Sequence, residues 1–184
     1  GKLGDTVILD PTSDEEALAL SKKKSFFRER NITIACVNYE TLKVLNNKSK
    51  TYDALSKRGI NTAEWHLIKS KKLLIEKLNY YYEEYGGAVI KPTLDRGARN
   101  IFIISKNKNK HIDNQNITNF NKVKDFLPML KKYNFIGNFL IMKELYYPVV
   151  DIDLFAWEGN PLSIVPRKRN HPLLPNMGHK ILND

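Results

Sequence analysis

Two lysines, a small-residue loop, three carboxylates and a pair of arginines are the side chains of this sequence whose types and order suggest chemistry. Lys48 stands in Asn47-Lys48-Ser49-Lys50-Thr51, ahead of a helix-like segment. Lys91 ends the apolar run Ala88-Val89-Ile90 and precedes Pro92, and a polar loop with Gly97 and Ala98 follows it. Glu144 closes a second apolar run, Phe139 to Lys143. Asp151 and Asp153 alternate with apolar residues on the next, and Arg167 and Arg169 alternate after Val165-Pro166. Two mobile cations beside a loop without bulky side chains suit a polyphosphate, because backbone N–H groups can then approach phosphate oxygens. A strand end such as that at Glu144 can present backbone N–H and C=O groups to an adenine edge, with apolar neighbours over its faces. Any one of these residues alone reads as a solvated surface charge. Lys91 is the exception, since it extends an apolar strand.

These side chains need elements to hold them. Residues 6–9 read as a short buried strand. Ser13 with Glu16 three positions on has the spacing of a capping box, opening a helix that runs to about Arg30. The β-branched run Ile32 to Val37 reads as a second strand, giving a strand–helix–strand start with a parallel pair. Residues 40–58 read as helical with an interruption near Asn46-Asn47, and Gly59 suits its C-terminus. A short strand is expected at 64–69 and a helix at 70–85, stopped by Gly86-Gly87. A hairpin follows, built from 88–92 and 101–104. Residues 106–118 read as an exposed loop and 119–133 as a helix. Residues 139–142, 151–157 and 162–165 read as strands, the last two joined by Glu158-Gly159-Asn160-Pro161. The tail, 166–184, has no clear period. The fold class expected is α/β or α+β, with a βαβ start and a mostly antiparallel second half.

Composition narrows the function classes. The 184 residues are 42% hydrophobic, enough for a real core. No apolar run approaches the ~20 residues of a membrane helix. The single cysteine rules out an intrachain disulfide and fits a reducing, cytoplasmic setting. Net charge is +10, carried by 23 lysines and 7 arginines dispersed among asparagines. That pattern favours a solvated surface over nucleic-acid readout, which leans on clustered arginine. There is no GxxxxGK[ST] P-loop and no zinc spacing, and His66, His111, His171 and His179 stand apart from one another.

In order and spacing, the chain resembles the ATP-grasp superfamily, in the branch near the large subunit of carbamoyl phosphate synthase. "NKSKTYDALSKRGINTAEWHLI" (47–68) resembles that family's DKxxTyxxLxxxGIptP segment, and "GGAVIKPTLDRGARNIFII" its strand, Lys-Pro and Gly-rich loop. "FLIMKELYYPVVDIDLFAWEGN" resembles the adenine-side linker with the strands after it, and "LSIVPRKR" the next strand with its arginines. "DTVILDPTSDEEALAL" resembles the last strand–helix step of the domain that precedes an ATP-grasp fold.

The resemblance implies a division into 1–45, the end of that preceding domain, and 46–184, the N-terminal and central part of an ATP-grasp domain. It implies that Lys48 and Lys91 contact ATP phosphates and that the loop around Gly97 and Ala98 folds over them. Lys143, Glu144, Leu145 and Tyr146 would form the adenine linker, with Asp151 or Asp153 holding the ribose. Arg167 and Arg169 would lie towards the acceptor or phosphoryl-transfer site. The implied reaction is ATP-dependent activation of a carboxylate or carbonate as an acyl phosphate, followed by attack of an amine, with Mg²⁺ bound by ligands beyond this chain.

Asn47 departs from the family's usual acid, and the linker is a residue short and lacks the usual glycine and glutamate. The acid and E-x-N-x-R-like segment that bind magnesium in the family have no counterpart before Asp184. The chain therefore reads as a piece of a larger protein or a truncated relative, inactive by itself. Two other classes stay open: a non-catalytic nucleotide-binding or scaffold domain, and a basic anion- or RNA-binding α/β domain. A homo-oligomer is compatible with the sequence, which sets no oligomeric state.

Overall fold

The computed structural model of the chain describes residues 7–95, 99–107, 116–145, 148–157, 159–170 and 178–182. It opens with β1 (Val7–Leu9), α1 (Asp14–Ser21), α2 (Lys24–Arg28) and β2 (Ile32–Ile34), and β1 and β2 pair in parallel. The helix expected from Ser13 to Arg30 is broken into two by a turn at Lys22-Lys23. The capping box is displaced by one residue. Ser13 Oγ accepts from Glu16 N–H at 3.1 Å, but the Glu16 carboxylate reaches back to Thr12, accepting from its N–H at 2.8 Å and its Oγ at 3.0 Å. These bonds hold the Glu16 carboxyl below its ordinary pKa.

Two helices follow, α3 (Tyr39–Leu45) and α4 (Lys48–Ser56), interrupted where the asparagines predict. Asn38 and Asn47 are their N-caps, each accepting from the backbone N–H three residues on. Next come β3 (Trp65–Leu67) and the long α5 (Lys71–Tyr85), which ends at Gly86 in a left-handed conformation, φ +77°.

The remaining elements are β4 (Gly87–Pro92), β5 (Ile101–Ser105), β6 (Ile117–Phe120), α6 (Val123–Phe126), α7 (Met129–Lys132), β7 (Phe139–Lys143), β8 (Val150–Trp157), β9 (Asn160–Arg169) and β10 (His179–Ile181). The single helix expected over 119–133 is not formed. Ile117–Phe120 adds a strand parallel to β5, and Pro128 stands between two four-residue helices. The pairing of Ile117 and Phe120 with β5 outweighs a helical period that ran on from Phe120 to Leu130. Residues 166–169 extend β9, where the sequence showed no period.

Five strands form the main sheet in the order β3-β7-β4-β5-β6, antiparallel except for β5–β6. Its two faces differ. Ala88, Ile90, Phe102, Ile104, Phe139 and Ile141 enter one apolar cluster with Leu74, Leu78 and Tyr81 of α5 and with Phe126 and Phe135. Strand alternation puts Val89 and Lys91 on the opposite face, in register with Ile103, Met142 and Leu140. Lys91 is therefore fixed by a strand whose alternate residues are locked into the core.

The second sheet, β10-β9-β8, is antiparallel and thinly covered. Ile152 and Leu154 are 65% and 60% exposed, and Trp157 is 56% exposed. Among the described residues no helix is long and apolar enough to cross a membrane.

Phe102 lies at the centre of the aromatic core, with ring centroids 5.1 Å from Tyr133, 5.5 Å from Phe135 and 5.8 Å from Phe126. Phe102→Ala should lower unfolding free energy by about 3–5 kcal/mol in chemical denaturation. Leu154→Ala, on the exposed sheet, should change it by about 0.5 kcal/mol or less.

Candidate functional site

Lys91 leaves the main sheet on the face away from α5, and α4 lies against that face. The Lys48 N–H donates to Thr93 O at 2.9 Å, docking the start of α4 on the chain just beyond β4. Thr93 is buried and in turn donates from N–H and Oγ1 to Asn138 O, at 2.8 and 3.1 Å. The stem of the loop after Lys91 is thus pinned from two sides. The Lys48 side chain adds a third tie, Nζ donating to Asp95 O at 2.6 Å. Across the stem, Asn100 adopts φ +53° and its Nδ2 approaches an Asp95 carboxylate oxygen at 3.3 Å. Gly97 and Ala98, expected to fold over a phosphate, lie outside the described residues.

The structure brings Lys48 and Lys91 together. Lys91 Nζ donates to Tyr52 OH at 3.0 Å and stands 5.4 Å from that ring's centroid. Tyr52 follows Lys48 by one helical turn, so both face β4 from α4. Its ring leans on Trp65 of β3, centroids 5.6 Å apart. Burial holds the Lys48 ammonium below the ordinary lysine pKa. The Lys91 charge pushes in the same direction, with Asp95 and Asp14 opposing. The hydrogen bonds of the two ammonium groups run to a carbonyl and a hydroxyl, both neutral, so neither is a bond to an anion. The Asn47 departure has a local explanation. Asn47 Oδ1 accepts from Lys50 N–H at 3.1 Å and from Ser49 Oγ at 2.7 Å, the work an N-cap aspartate would do equally well.

The linker residues divide between the two faces. Lys143 is opposite Ala88 on the α5 side, its Nζ 5.0 Å from the Tyr85 ring centroid. Glu144 follows on the Lys91 side. Its N–H donates to Gly87 O at 3.0 Å, and its carboxylate accepts from the buried Ser105 Oγ at 2.8 Å. The carboxylate crosses directly over Gly87, where any Cβ would collide with it. A side chain at Gly87 would displace the Glu144 carboxylate from this position, and Ile104 O at 3.1 Å leaves little further room. Leu145 is exposed, and Tyr146 lies outside the described residues.

On the second sheet Asp151, Asp153, Arg167 and Arg169 pair diagonally across strands. Arg169 donates to Asp151 from Nε and Nη2, at 2.6 and 2.7 Å, and Arg167 Nη2 donates to Asp153 at 2.7 Å. The Asp151 bonds raise the Arg169 pKa further. Among the described residues, no group of three or more His, Cys, Asp or Glu side chains is placed to hold a metal ion. His66 packs beside Tyr81, ring centroids 6.2 Å apart, with Nε2 3.5 Å from Glu64. Tyr52, Trp65, Thr93 and Ser105 were not singled out from sequence. Tyr52 did carry a signal, its four-residue spacing from Lys48. Thr93 and Ser105 carried none, because their partners are 45 and 39 residues away.

No protein-family model and no curated protein matches the chain. Solved structures do match. The D-alanine–D-alanine ligase of Coxiella burnetii superposes with a TM-score of 0.64 at 12% identity, covering 92% of this chain and 46% of that one. D-alanyl-alanine synthetase A of Vibrio cholerae gives 0.60 at 10% identity, covering 88% and 44%. The biotin carboxylase domain of Hydrogenobacter thermophilus 2-oxoglutarate carboxylase, solved as a dimer with MgADP, ADP and bicarbonate, gives 0.57 at 15% identity, covering 88% and 34%. The chain thus has an ATP-grasp type of fold and spans less than half the length of these neighbours.

The depressed Lys48 pKa has a pH consequence. Its folded value lies below its unfolded one, so between the two the unfolded chain holds more protons and stability rises with pH. A bound phosphate favours the ammonium form and reverses the shift. Calorimetry should show tripolyphosphate affinity falling, with proton uptake on binding, as the pH rises towards the ordinary lysine value. Lys48→Met should bind more weakly and lose most of that pH dependence.

Proposed function

We propose that residues 46–184 form the ATP-binding portion of an ATP-grasp ligase, with ATP as the nucleotide and the lysine pair as its phosphate site. The observation that carries this reading is the convergence of Lys48 and Lys91 on the side of β4 that faces α4, beside a pinned loop stem. Two ammonium groups at close range repel each other, an arrangement that costs stability and is relieved by a bound polyanion. Perturbed charges of this kind cluster at functional sites.

In the reaction we propose, a carboxylate or carbonate oxygen attacks the γ-phosphorus of ATP. The bond to the β–γ bridging oxygen breaks, and its electron pair leaves with ADP. An amine nitrogen then attacks the acyl carbon, expelling inorganic phosphate and losing a proton. The contribution assigned to this chain is positional and electrostatic. Lys48 and Lys91 hold β- and γ-phosphate oxygens and offset the charge that grows on the leaving diphosphate. The loop with Gly97 and Ala98 is assigned to closing over the phosphates. Residues 1–45 are assigned to the end of a preceding α/β domain.

The adenine is assigned to the linker Lys143–Tyr146. Because the Glu144 N–H is bonded to Gly87 O, the adenine edge would be met by the linker beyond that group, near the exposed Leu145. The Lys143 side chain, turned towards Tyr85, contributes through its backbone. Asp151 or Asp153 is the proposed ribose contact, and Arg167 and Arg169 are proposed to face the acceptor. The mutual pairing of these four residues means that a ligand must exchange with an existing ion pair there. They do not fit a divalent-metal site of their own, since both aspartates are already bound by guanidinium groups, and no step is assigned to Mg²⁺ through them. The branch near the large subunit of carbamoyl phosphate synthase rests on the order of the sequence segments. A non-catalytic nucleotide-binding module is the second reading, since the lysine pair and the pinned loop stem are binding features that do not by themselves require a reaction.

Thermal unfolding with added nucleotide tests the proposal. Mg-ATP should raise the melting temperature of the chain more than Mg-GTP does, since a ligand that binds only the folded state stabilises it. Lys91→Ala should abolish the rise. An equal response of the parent chain and the variant would refute the assignment.

A further inference from the structure

We propose that Tyr52 is a positioning residue for Lys91, holding its ammonium group at the angle from which it meets a phosphate; this rests on the nucleotide reading above. A lysine at a strand end has four rotatable side-chain bonds and, with no tether, spreads its charge over a wide arc. Here the tether is specific. Tyr52 OH accepts one Nζ–H at 3.0 Å, and the same ring lies 5.4 Å from Nζ. Trp65, 5.6 Å away centroid to centroid, backs the ring from β3. An ammonium group carries three N–H donors, so a bond to the hydroxyl leaves two for phosphate oxygens. The tether therefore aligns Lys91 without consuming it.

α4 thus contributes to the placement of both cations, while β4 carries the Lys91 backbone. Lys48 belongs to the helix and Tyr52 lies one turn further along it. The helix start is fixed to the sheet through the Lys48 N–H to Thr93 O bond.

The test compares the parent chain with Tyr52→Phe by calorimetry, using Mg-ATP, sodium tripolyphosphate and adenosine as three separate probes. Phenylalanine keeps the ring and its packing on Trp65 and removes only the hydroxyl. Affinity for Mg-ATP and for tripolyphosphate should fall by the same factor, roughly three- to tenfold. Adenosine affinity and the melting temperature of the free chain should stay unchanged. A packing role alone would weaken all three ligands or lower the melting temperature, and that outcome overturns the proposal. Unchanged tripolyphosphate affinity in Tyr52→Phe, with binding lost in Lys91→Ala, overturns the role of Tyr52 and leaves the nucleotide reading standing. Absence of phosphate-dependent binding by the parent chain overturns both.

Discussion

Two positive charges held side by side form the constraint on which the rest of this structure turns. Lys48 and Lys91 oppose each other electrostatically, enough to help depress the Lys48 pKa. Such an arrangement persists only where the backbone around it is over-determined. Lys91 is fixed because Ala88 and Ile90 are locked into the core on the far face of the same strand. Lys48 is fixed because its own N–H closes on Thr93, and Thr93 is held twice by Asn138. The aromatic core around Phe102 and α5 thus supports a charge arrangement on the other side of the sheet, across one strand's thickness. Local destabilisation of this kind is common where binding is prepared in advance of the ligand.

The second sheet obeys a different rule. Its two aspartates are paired within the sheet, Asp151 with Arg169 and Asp153 with Arg167, while many of its apolar residues are left open to solvent. The two sheets therefore offer unlike surfaces. One face of the main sheet carries Lys91 with Lys48 of α4, hydrogen-bonded to a hydroxyl and a carbonyl, and the three-stranded sheet carries two Asp–Arg pairs among apolar side chains. A polyanion is drawn to the first. The second has aromatic and aliphatic surface for apolar contacts, at Phe155, Trp157 and Ile164.

Local chemistry made much of this legible in the sequence. The parallel β1–β2 pair, the break between α3 and α4 at Asn46-Asn47, the end of α5 at Gly86 and the β4–β5 hairpin all follow from caps, glycines and alternation. The failures have one physical source, competition between local period and distant pairing. Residues 117 and 118 read as loop and 119 and 120 fit a helical period, yet all four add to β5, whose partner positions are 16 residues away in sequence. The Ser13 helix was read as continuous because its apolar residues continue past Lys22-Lys23. At the site, Lys48 and Lys91 stood out through their strand and helix contexts, and the spacing of Tyr52 from Lys48 was there to be used. Ser105 could not be foreseen, because only the folded β4–β5–β7 pairing brings it to Glu144. The diagonal pairing of the Asp and Arg residues likewise appears only once the β8–β9 register is set.

The most direct measurement of the central claim is affinity labelling of the whole chain with an acyl phosphate of ATP, followed by peptide mapping. Such a reagent acylates lysines that lie beside bound phosphates, and the chain offers 23 of them. The lowered pKa of Lys48 favours its free amine form and hence its reaction. The account predicts that label concentrates on Lys48 and Lys91 and that excess ATP suppresses it at both. Label spread over the surface lysines and indifferent to ATP would contradict it, and would return the positive charge of this chain to the role of a solvated surface.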